Sequence, residues 1–320
     1  MIRTIGAAAA MLLGTNAALA QETTPAGVPI EAPGPEGALA GTFLDAGKGA
    51  PVVLIVPGSG PTDRDGNSPM GVTAGYLRQL AEELATNGIS TARVDKRGMF
   101  GSRAAVSDPN SATIVGYADD VVAWTRILKD RAVAKCIWVA GHSEGALVAL
   151  AAGQRDADIC GLILIAGPGR KLGTVMREQF RANPANAPFL ESLLGMIDAL
   201  EAGRTVAADA LPPAIAPFFP QGVQTYLIDV LKQDPAALAA AYQGPMLIVQ
   251  GGRDIQVAQA DADALRAAAP KAVYVQLPRM NHVLKEVESD ARAANLATYA
   301  DASRPLAPGL VDAVAGFMKR

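Results

Sequence analysis

The sequence predicts an α/β protein with a doubly wound, mostly parallel sheet, and three observations lead to this fold class. Short apolar runs recur along the chain, and the later ones are continuously apolar, as expected for parallel strands covered on both faces. Segments of helical periodicity separate these runs. Between Gly169 and Pro245, by contrast, helical patterns occur without a convincing strand, which predicts an inserted helical cap.

The individual elements follow from local patterns. Helices are expected where leucine and other apolar residues fall at spacings of three and four, as at Leu77, Leu80 and Leu84, with Gly88 as a stop signal. The predicted strands are the runs ALAGTFLDA, PVVLIVPG, STARVDKRG, CIWVAG, GLILIAG, PMLIVQGG and AVYVQLP. The predicted core therefore comprises residues 41–169 and 245–320, and the predicted cap residues 170–244.

The first forty residues differ from the rest. Residues 1–20 combine Arg3, a short apolar stretch and an Ala-x-Ala pattern that ends at Ala20, which is typical of a secretory signal peptide cleaved before Gln21. The alternative is an ordinary buried N-terminal helix. Residues 21–40 are rich in Pro, Gly and Ala and are expected to form a loose arm. We therefore expect a periplasmic or secreted protein that has no stable membrane anchor after cleavage.

Charge and cysteine content limit the partners and suggest the compartment. Among 320 residues the formal net charge is −3, and no Lys/Arg-rich run is present, which argues against nucleic acid and anionic membranes as partners. Cys136 and Cys160 each begin an apolar run. If these runs are adjacent parallel strands, the two sulfurs lie at one sheet edge and can form a disulfide, which suits an exported protein. Two separate buried thiols are the alternative.

The segment GHSEG at residues 141–145 has the G-x-S-x-G pattern between a predicted strand and a predicted helix. In that context the pattern is typical of a tight turn that presents a nucleophilic serine at the carboxyl edge of the sheet, here Ser143. The flanking Gly141 and Gly145 let the strand and helix backbones pass closely. The alternative for Ser143 is a surface turn with a capping serine.

A nucleophilic serine needs a base, and the chain has two histidines. His142 is adjacent to Ser143 on a sharp turn and should point elsewhere, so we expect His282, after the last strand, to be the base. Asp254 follows the preceding strand and is the expected acid, since the order Ser, Asp, His then matches a known chain order of the triad. Asp261 and Glu286 are weaker alternatives.

An acyl-transfer site also needs two oxyanion donors. The N–H of Glu144, immediately after the serine, is the first expected donor. The second should come from the loop at residues 53–67, where Ser59 is preferred and Gly60 is next; a simple Gly-Pro turn is the alternative. Phosphate-loop, dinucleotide and zinc-protease motifs are absent from the sequence, so neither a cofactor nor a metal is expected.

Six stretches together resemble the α/β-hydrolase superfamily, in its carboxylesterase and serine-aminopeptidase-like branch. They are GSGPTDRDGN, DKRGMFGS, GHSEG, AGPG, GGRDIQV and MNHVLK. The resemblance implies the roles given above for Ser143, Asp254 and His282, an oxyanion donor within residues 58–60, and a cap between the sixth and seventh strands. The chain departs from many members at Pro57 and Ala146, which lie outside the predicted triad.

The sequence thus predicts an exported serine hydrolase that cleaves small-molecule carboxylic esters through an acyl-enzyme. An aminopeptidase, amidase or thioesterase would use the same residues, and a non-catalytic ligand-binding protein could keep the same fold. The oligomeric state stays open. The Glu144 side chain is expected to be unfavourable beside the oxyanion site unless it points away or meets a cation such as Arg64 or Arg97.

Overall fold

The computed structural model describes residues 27–320, and its centre is one eight-stranded sheet. The strands are β1 (Val28–Pro33), β2 (Ala38–Leu44), β3 (Val52–Val56), β4 (Ser90–Val94), β5 (Ile137–His142), β6 (Ile159–Ile165), β7 (Met246–Gly251) and β8 (Val273–Leu277). Their order in the sheet is β1-β2-β4-β3-β5-β6-β7-β8. The pairs β1-β2 and β2-β4 are antiparallel, and all the other pairs are parallel. The predicted doubly wound, mostly parallel sheet is confirmed.

Helices cover both faces of this sheet. In the described part of the chain the α-helices are α1 (Tyr76–Thr86), α2 (Ile114–Ala132), α3 (Glu144–Gly153), α4 (Leu172–Ala182), α5 (Leu190–Glu201), α6 (Gln221–Leu231), α7 (Pro235–Ala241), α8 (Gln259–Ala268), α9 (Arg292–Ala297) and α10 (Leu310–Met318). Alternate residues of β3 belong to different cores: Val52, Leu54 and Val56 pack with α2 and α3, whereas Val53 and Ile55 pack with α1 and α10. This division follows from the two-residue period of a strand. None of these helices is long and apolar enough to cross a membrane.

The interval between β6 and β7 is helical, as predicted. It holds α4 to α7 and contains no strand among its described residues. Part of this interval has an apolar core of its own, separate from the two cores of the sheet, in which Met196, Ile197 and Leu200 of α5 are buried. Helices α4 and α6 also contribute to this core, through Met176 and Leu231. The cap therefore has enough internal packing to hold its shape above the sheet.

The expectation of a loose arm is wrong for part of residues 21–40. Residues Val28–Pro33 form the edge strand β1, in which the side chains of Ile30 and Ala32 are buried. Proline, which suggested a loop, is tolerated here because an edge strand leaves one row of backbone groups unpaired. The predicted signal peptide at residues 1–20 and its cleavage site lie outside the described residues.

Cys136 and Cys160 form a disulfide, with their Cα atoms 5.1 Å apart. Cys136 directly precedes β5, and Cys160 lies near the start of the adjacent parallel strand β6. Of the two alternatives that the sequence left open, the structure has the bridge.

Candidate active site

Ser143 occupies a strained turn between β5 and α3, with φ of 54° and ψ of −123°. A positive φ is unfavourable for a residue with a side chain and costs about 1–3 kcal/mol, so the surroundings must impose it. A Cβ on Gly141 would collide with the carbonyl of Gly145, and one on Gly145 would collide with the carbonyl of Val56. Only glycine fits these two positions, which explains why the G-x-S-x-G pattern produces this turn.

Asp254 and His282 lie in hydrogen-bond contact, in loops that follow β7 and β8. The His282 Nδ1 to Asp254 Oδ2 distance is 2.8 Å, and the Asp254 side chain is fully buried. The other carboxylate oxygen of Asp254 accepts bonds from the N–H groups of Gln256 (2.8 Å) and Val257 (2.9 Å). Because the carboxylate is an acceptor, Nδ1 of His282 carries the proton and Nε2 is left as the free base.

The two alternative acids have other partners. Asp261 accepts bonds from the Arg170 side chain and from the N–H groups of Gly169 and Arg170. Glu286 forms an ion pair with Arg279 at 2.6 Å. Asp254 is thus the carboxylate that meets His282.

His142 anchors the loop that carries His282. Its Nε2 lies 2.8 Å from the main-chain carbonyl of His282, and its Nδ1 lies 3.3 Å from the Tyr76 hydroxyl. Since a carbonyl only accepts, Nε2 is the protonated nitrogen and Nδ1 accepts from the tyrosine. Burial and the neighbouring His282 lower the pKa of His142 to about 3, which keeps it neutral at ordinary pH. Both ring nitrogens are occupied, so His142 is not free to act on Ser143.

His282 and Ser143 are brought to one edge of the sheet, but no hydrogen bond joins their side chains among residues 27–320. The rings of His142 and His282 are 4.8 Å apart between centroids, which places His282 directly beside the residue that precedes Ser143. A nucleophile–base contact is often long before substrate binds.

The loop after β3 packs against Ser143. A Cβ built on Gly58 would lie 3.1 Å from the Ser143 Cβ, so the glycine permits this close approach. Ser59 and Glu144 line the same cavity as Ser143. The main-chain N–H groups of Ser59 and Glu144 donate to no other group in the described part of the chain. The two amides expected to act as oxyanion donors therefore have no acceptor among residues 27–320, and they belong to residues that line the cavity with Ser143.

The cavity over Ser143 has a volume of about 880 Å³ and lies between the sheet edge and the cap. Its cap wall is mainly apolar and includes Leu172, Val175, Met176, Leu227 and Val230. Arg170 also lines it, but Asp261 and Glu178 neutralise that guanidinium. The wall contributed by the cap thus suits an uncharged, apolar group.

Solved structures share this architecture. The Pyrococcus furiosus esterase Pf2001 aligns with a TM-score of 0.55 at 18% identity, over 92% of this chain and 92% of that one. Est1E from Butyrivibrio proteoclasticus aligns with a TM-score of 0.55 at 17% identity, over 91% of this chain and 97% of that one. At these identities the likeness concerns the fold.

Sequence comparison points the same way. The family model described as serine aminopeptidase, S33, matches residues 69–196, which include the Ser143 turn. Esterase EstD from Thermotoga maritima is 31% identical over 217 residues, or 67% of this chain and 48% of the relative. The chain has the fold of the α/β-hydrolase superfamily, and its sequence is similar to members of that superfamily. It spans about half the length of this relative.

The cation beside Glu144 is Lys96, and neither Arg64 nor Arg97, the two cations that the sequence suggested, pairs with it. The Lys96 Nζ lies 3.6 Å from Glu144 Oε1, and both side chains are nearly buried. The two arginines are held by closer carboxylates from neighbouring segments: Arg64 by Asp95 at 2.5 Å and Arg97 by Asp120 at 2.6 Å.

Two residues of this site were missed from the sequence. Lys96 follows β4 in the DKRG stretch, and its position at the carboxyl end of a parallel strand was the available signal. Tyr226, on cap helix α6, lines the cavity and has a buried hydroxyl without a hydrogen-bond partner within residues 27–320. No sequence signal identifies Tyr226, because helical periodicity does not show where the cap sits on the sheet.

Proposed function

We propose that this chain is an exported serine hydrolase that cleaves carboxylic esters. The observation that carries the proposal is the Asp254–His282 hydrogen bond of 2.8 Å, at the sheet edge that also presents the strained Ser143. A buried carboxylate that holds a histidine tautomer beside an activated serine is the arrangement needed for nucleophilic acyl transfer.

In the proposed reaction, Ser143 Oγ attacks the ester carbonyl carbon while His282 Nε2 takes the hydroxyl proton. The N–H groups of Ser59 and Glu144 stabilise the negative oxygen of the tetrahedral intermediate. His282 then returns the proton to the departing alcohol, which leaves an acyl group on Ser143. A water molecule attacks this acyl-enzyme with the same base, so the carboxylic acid is released and Ser143 is restored.

Esters are preferred to peptides because of the charges in the cavity. An aminopeptidase must bind the ammonium group at the end of its substrate, which calls for an available carboxylate. The carboxylates of Glu144 and Asp261 line the cavity, but each already pairs with a cation, Lys96 and Arg170 respectively. The apolar cap wall and the esterase name of the Thermotoga relative support an ester with an apolar acyl or alcohol group.

Export is supported by two features. Residues 1–20 have the composition of a signal peptide. Cys136 and Cys160 form a disulfide, a bond that persists in oxidising compartments. Fractionation of cells that express the full chain, with N-terminal sequencing of the product, tests this part: a periplasmic or secreted protein that begins at Gln21 is expected. A full-length protein in the cytoplasm contradicts it.

The activity is tested with p-nitrophenyl esters of short to long acyl chains, aminoacyl-p-nitroanilides and acyl thioesters, each assayed with the wild type and Ser143→Ala. Ester turnover that Ser143→Ala abolishes is the expected result. Turnover of anilides or thioesters alone would replace the ester assignment with an amidase or thioesterase. Binding of these compounds without turnover of any class would indicate a ligand-binding protein.

A further inference from the structure

We propose that Lys96 is a positioning residue that holds both halves of the oxyanion site. Its Nζ donates a hydrogen bond of 2.6 Å to the main-chain carbonyl of Gly58, and the same Nζ forms the ion pair with Glu144. Gly58 directly precedes Ser59, and Glu144 carries the other donor. One buried ammonium thus connects the two segments that carry the proposed oxyanion donors. This inference rests on the proposed acyl-transfer function.

The contact with Gly58 determines where the Ser59 N–H points. The carbonyl of Gly58 and the N–H of Ser59 belong to one peptide group, and the described chain has no cis peptide bond. In a trans peptide the C=O and N–H point in opposite directions. With the carbonyl held by Lys96, the Ser59 N–H is directed away from the lysine, on the side of the peptide that is left for the cavity. The ammonium also polarises this peptide, which strengthens its N–H as a donor.

The contact with Glu144 compensates a negative charge close to the proposed oxyanion site. The Glu144 carboxylate lies within one residue of Ser143, and an unpaired negative charge there would oppose the negative oxygen that forms during the reaction. Lys96 is 5% exposed and Nζ lies 5.4 Å from the centre of the Tyr117 ring, so its charge acts in a poorly screened setting. The neighbouring cations Arg64 and Arg97 are already paired with Asp95 and Asp120, so neither takes the place of Lys96 in this structure.

A comparison of Lys96→Met with Arg97→Met tests this inference. The two residues are adjacent, and each loses an ion pair with a mostly buried carboxylate, but Arg97 contacts Asp120 and Gly116 rather than the oxyanion segments. With p-nitrophenyl butyrate we expect Lys96→Met to lower kcat by about 10²-fold with little change in KM, similar to the loss of one oxyanion donor. Arg97→Met should keep kcat within about threefold of the wild type if it acts only on stability.

A transition-state analogue supplies the second measurement. The inhibition constant of an alkyl trifluoromethyl ketone, which forms a tetrahedral adduct on serine, should rise in Lys96→Met by about the same factor as kcat falls. Adding Glu144→Gln to Lys96→Met removes the uncompensated carboxylate and should recover part of the lost kcat. If Lys96→Met does not fold, Lys96→Gln keeps an N–H donor for Gly58 without the charge, and its kcat should lie between that of the wild type and the loss expected for Lys96→Met.

Four results would overturn the inference. An unchanged kcat in a folded Lys96→Met or Lys96→Gln excludes the positioning role while the triad stands. Equal losses of kcat in Lys96→Met and Arg97→Met would indicate a general structural effect. A higher KM in Lys96→Met with an unchanged inhibition constant for the ketone would indicate the same. If the wild type itself neither turns over esters nor forms the ketone adduct, the proposed function fails first, and the inference fails with it.

Discussion

His142 donates a hydrogen bond of 2.8 Å to the main-chain carbonyl of His282, so the only two histidines of the chain are joined directly. The residue beside the proposed nucleophile is thereby tied to the residue proposed as its base. His142 is buried and keeps a neutral ring, while Asp254 fixes the His282 side chain from the other direction. His142 therefore has a structural role, and His282 is the histidine left to act as the proposed base.

Loss of this bond should affect both stability and turnover. We expect His142→Leu to lower the free energy of unfolding by about 1–3 kcal/mol, because the buried His282 carbonyl loses its donor. Displacement of His282 should also lower kcat, by up to about 10²-fold. Tyr76→Phe is the matched control, since it removes the contact to Nδ1 and keeps the bond to His282. Urea unfolding and ester kinetics measure both effects, and an active, equally stable His142→Leu would contradict this account.

The buried His142 should also make stability pH-dependent. Its pKa is about 3 in the folded protein against 6.5 for the ordinary value, so between these pH values the unfolded chain binds the extra proton. The stability that this neutral ring contributes is complete above pH 6.5 and is lost as the pH falls toward 3. Between pH 7 and pH 5, wild type should lose about 2 kcal/mol more than His142→Leu. Stability is measured by urea unfolding at both pH values. An equal loss of stability in the wild type and in His142→Leu would contradict this role of His142.

Asp254 should be far more important for turnover than the other acids near the C-terminal loops. Asp254→Asn keeps the shape but reverses the hydrogen-bond preference at His282 Nδ1, so kcat should fall by about 10⁴-fold. Glu286→Gln, which removes the ion pair with Arg279 instead, should change kcat by less than about threefold. A large loss of kcat in Glu286→Gln, or a small loss of kcat in Asp254→Asn, would mean that another acid supports His282.

The disulfide should contribute stability and leave the chemistry unchanged. Cys136 and Cys160 are 24 residues apart in sequence, and a link of this kind restricts the unfolded chain. The double variant Cys136→Ser/Cys160→Ser is expected to lose about 2–4 kcal/mol of unfolding free energy while its kcat at 25 °C stays near that of the wild type. Dithiothreitol should destabilise the wild type and have no effect on the double variant. Equal sensitivity of both proteins would show that the bridge is not the cause.

Much of this arrangement was predictable from the sequence because simple rules apply to parallel sheets. Ser143, Asp254 and His282 each follow a predicted strand, and the carboxyl ends of parallel strands meet at one edge. The amino ends of adjacent parallel strands also lie at one edge, so a bridge between Cys136 and Cys160 was possible, but the sequence left two separate thiols as an equal alternative. The pairing of Asp254 rather than Asp261 or Glu286 with His282 followed from its position immediately after β7.

Other features depend on information that a sequence does not carry. The partner of Glu144 was missed because Lys96 is adjacent to Arg97 in the chain, and the choice between neighbours depends on side-chain direction. The edge strand β1 was missed because its prolines resemble a loop, while its pairing with β2 is a tertiary contact. The position of the cap on the sheet, and hence the place of Tyr226 in the cavity, depends on packing between helices whose periodicity shows only that they are amphipathic.

The central claim is that Ser143 is a nucleophile activated by His282, and covalent labelling tests it most directly. Wild type, Ser143→Ala and His282→Ala are incubated with a fluorophosphonate probe, and each protein is analysed by intact mass and by sequencing of the modified peptide. We expect one adduct on Ser143 in the wild type, none in Ser143→Ala, and a labelling rate lower by about 10³-fold or more in His282→Ala. An unlabelled wild type, or equal labelling of the wild type and Ser143→Ala, would contradict the claim.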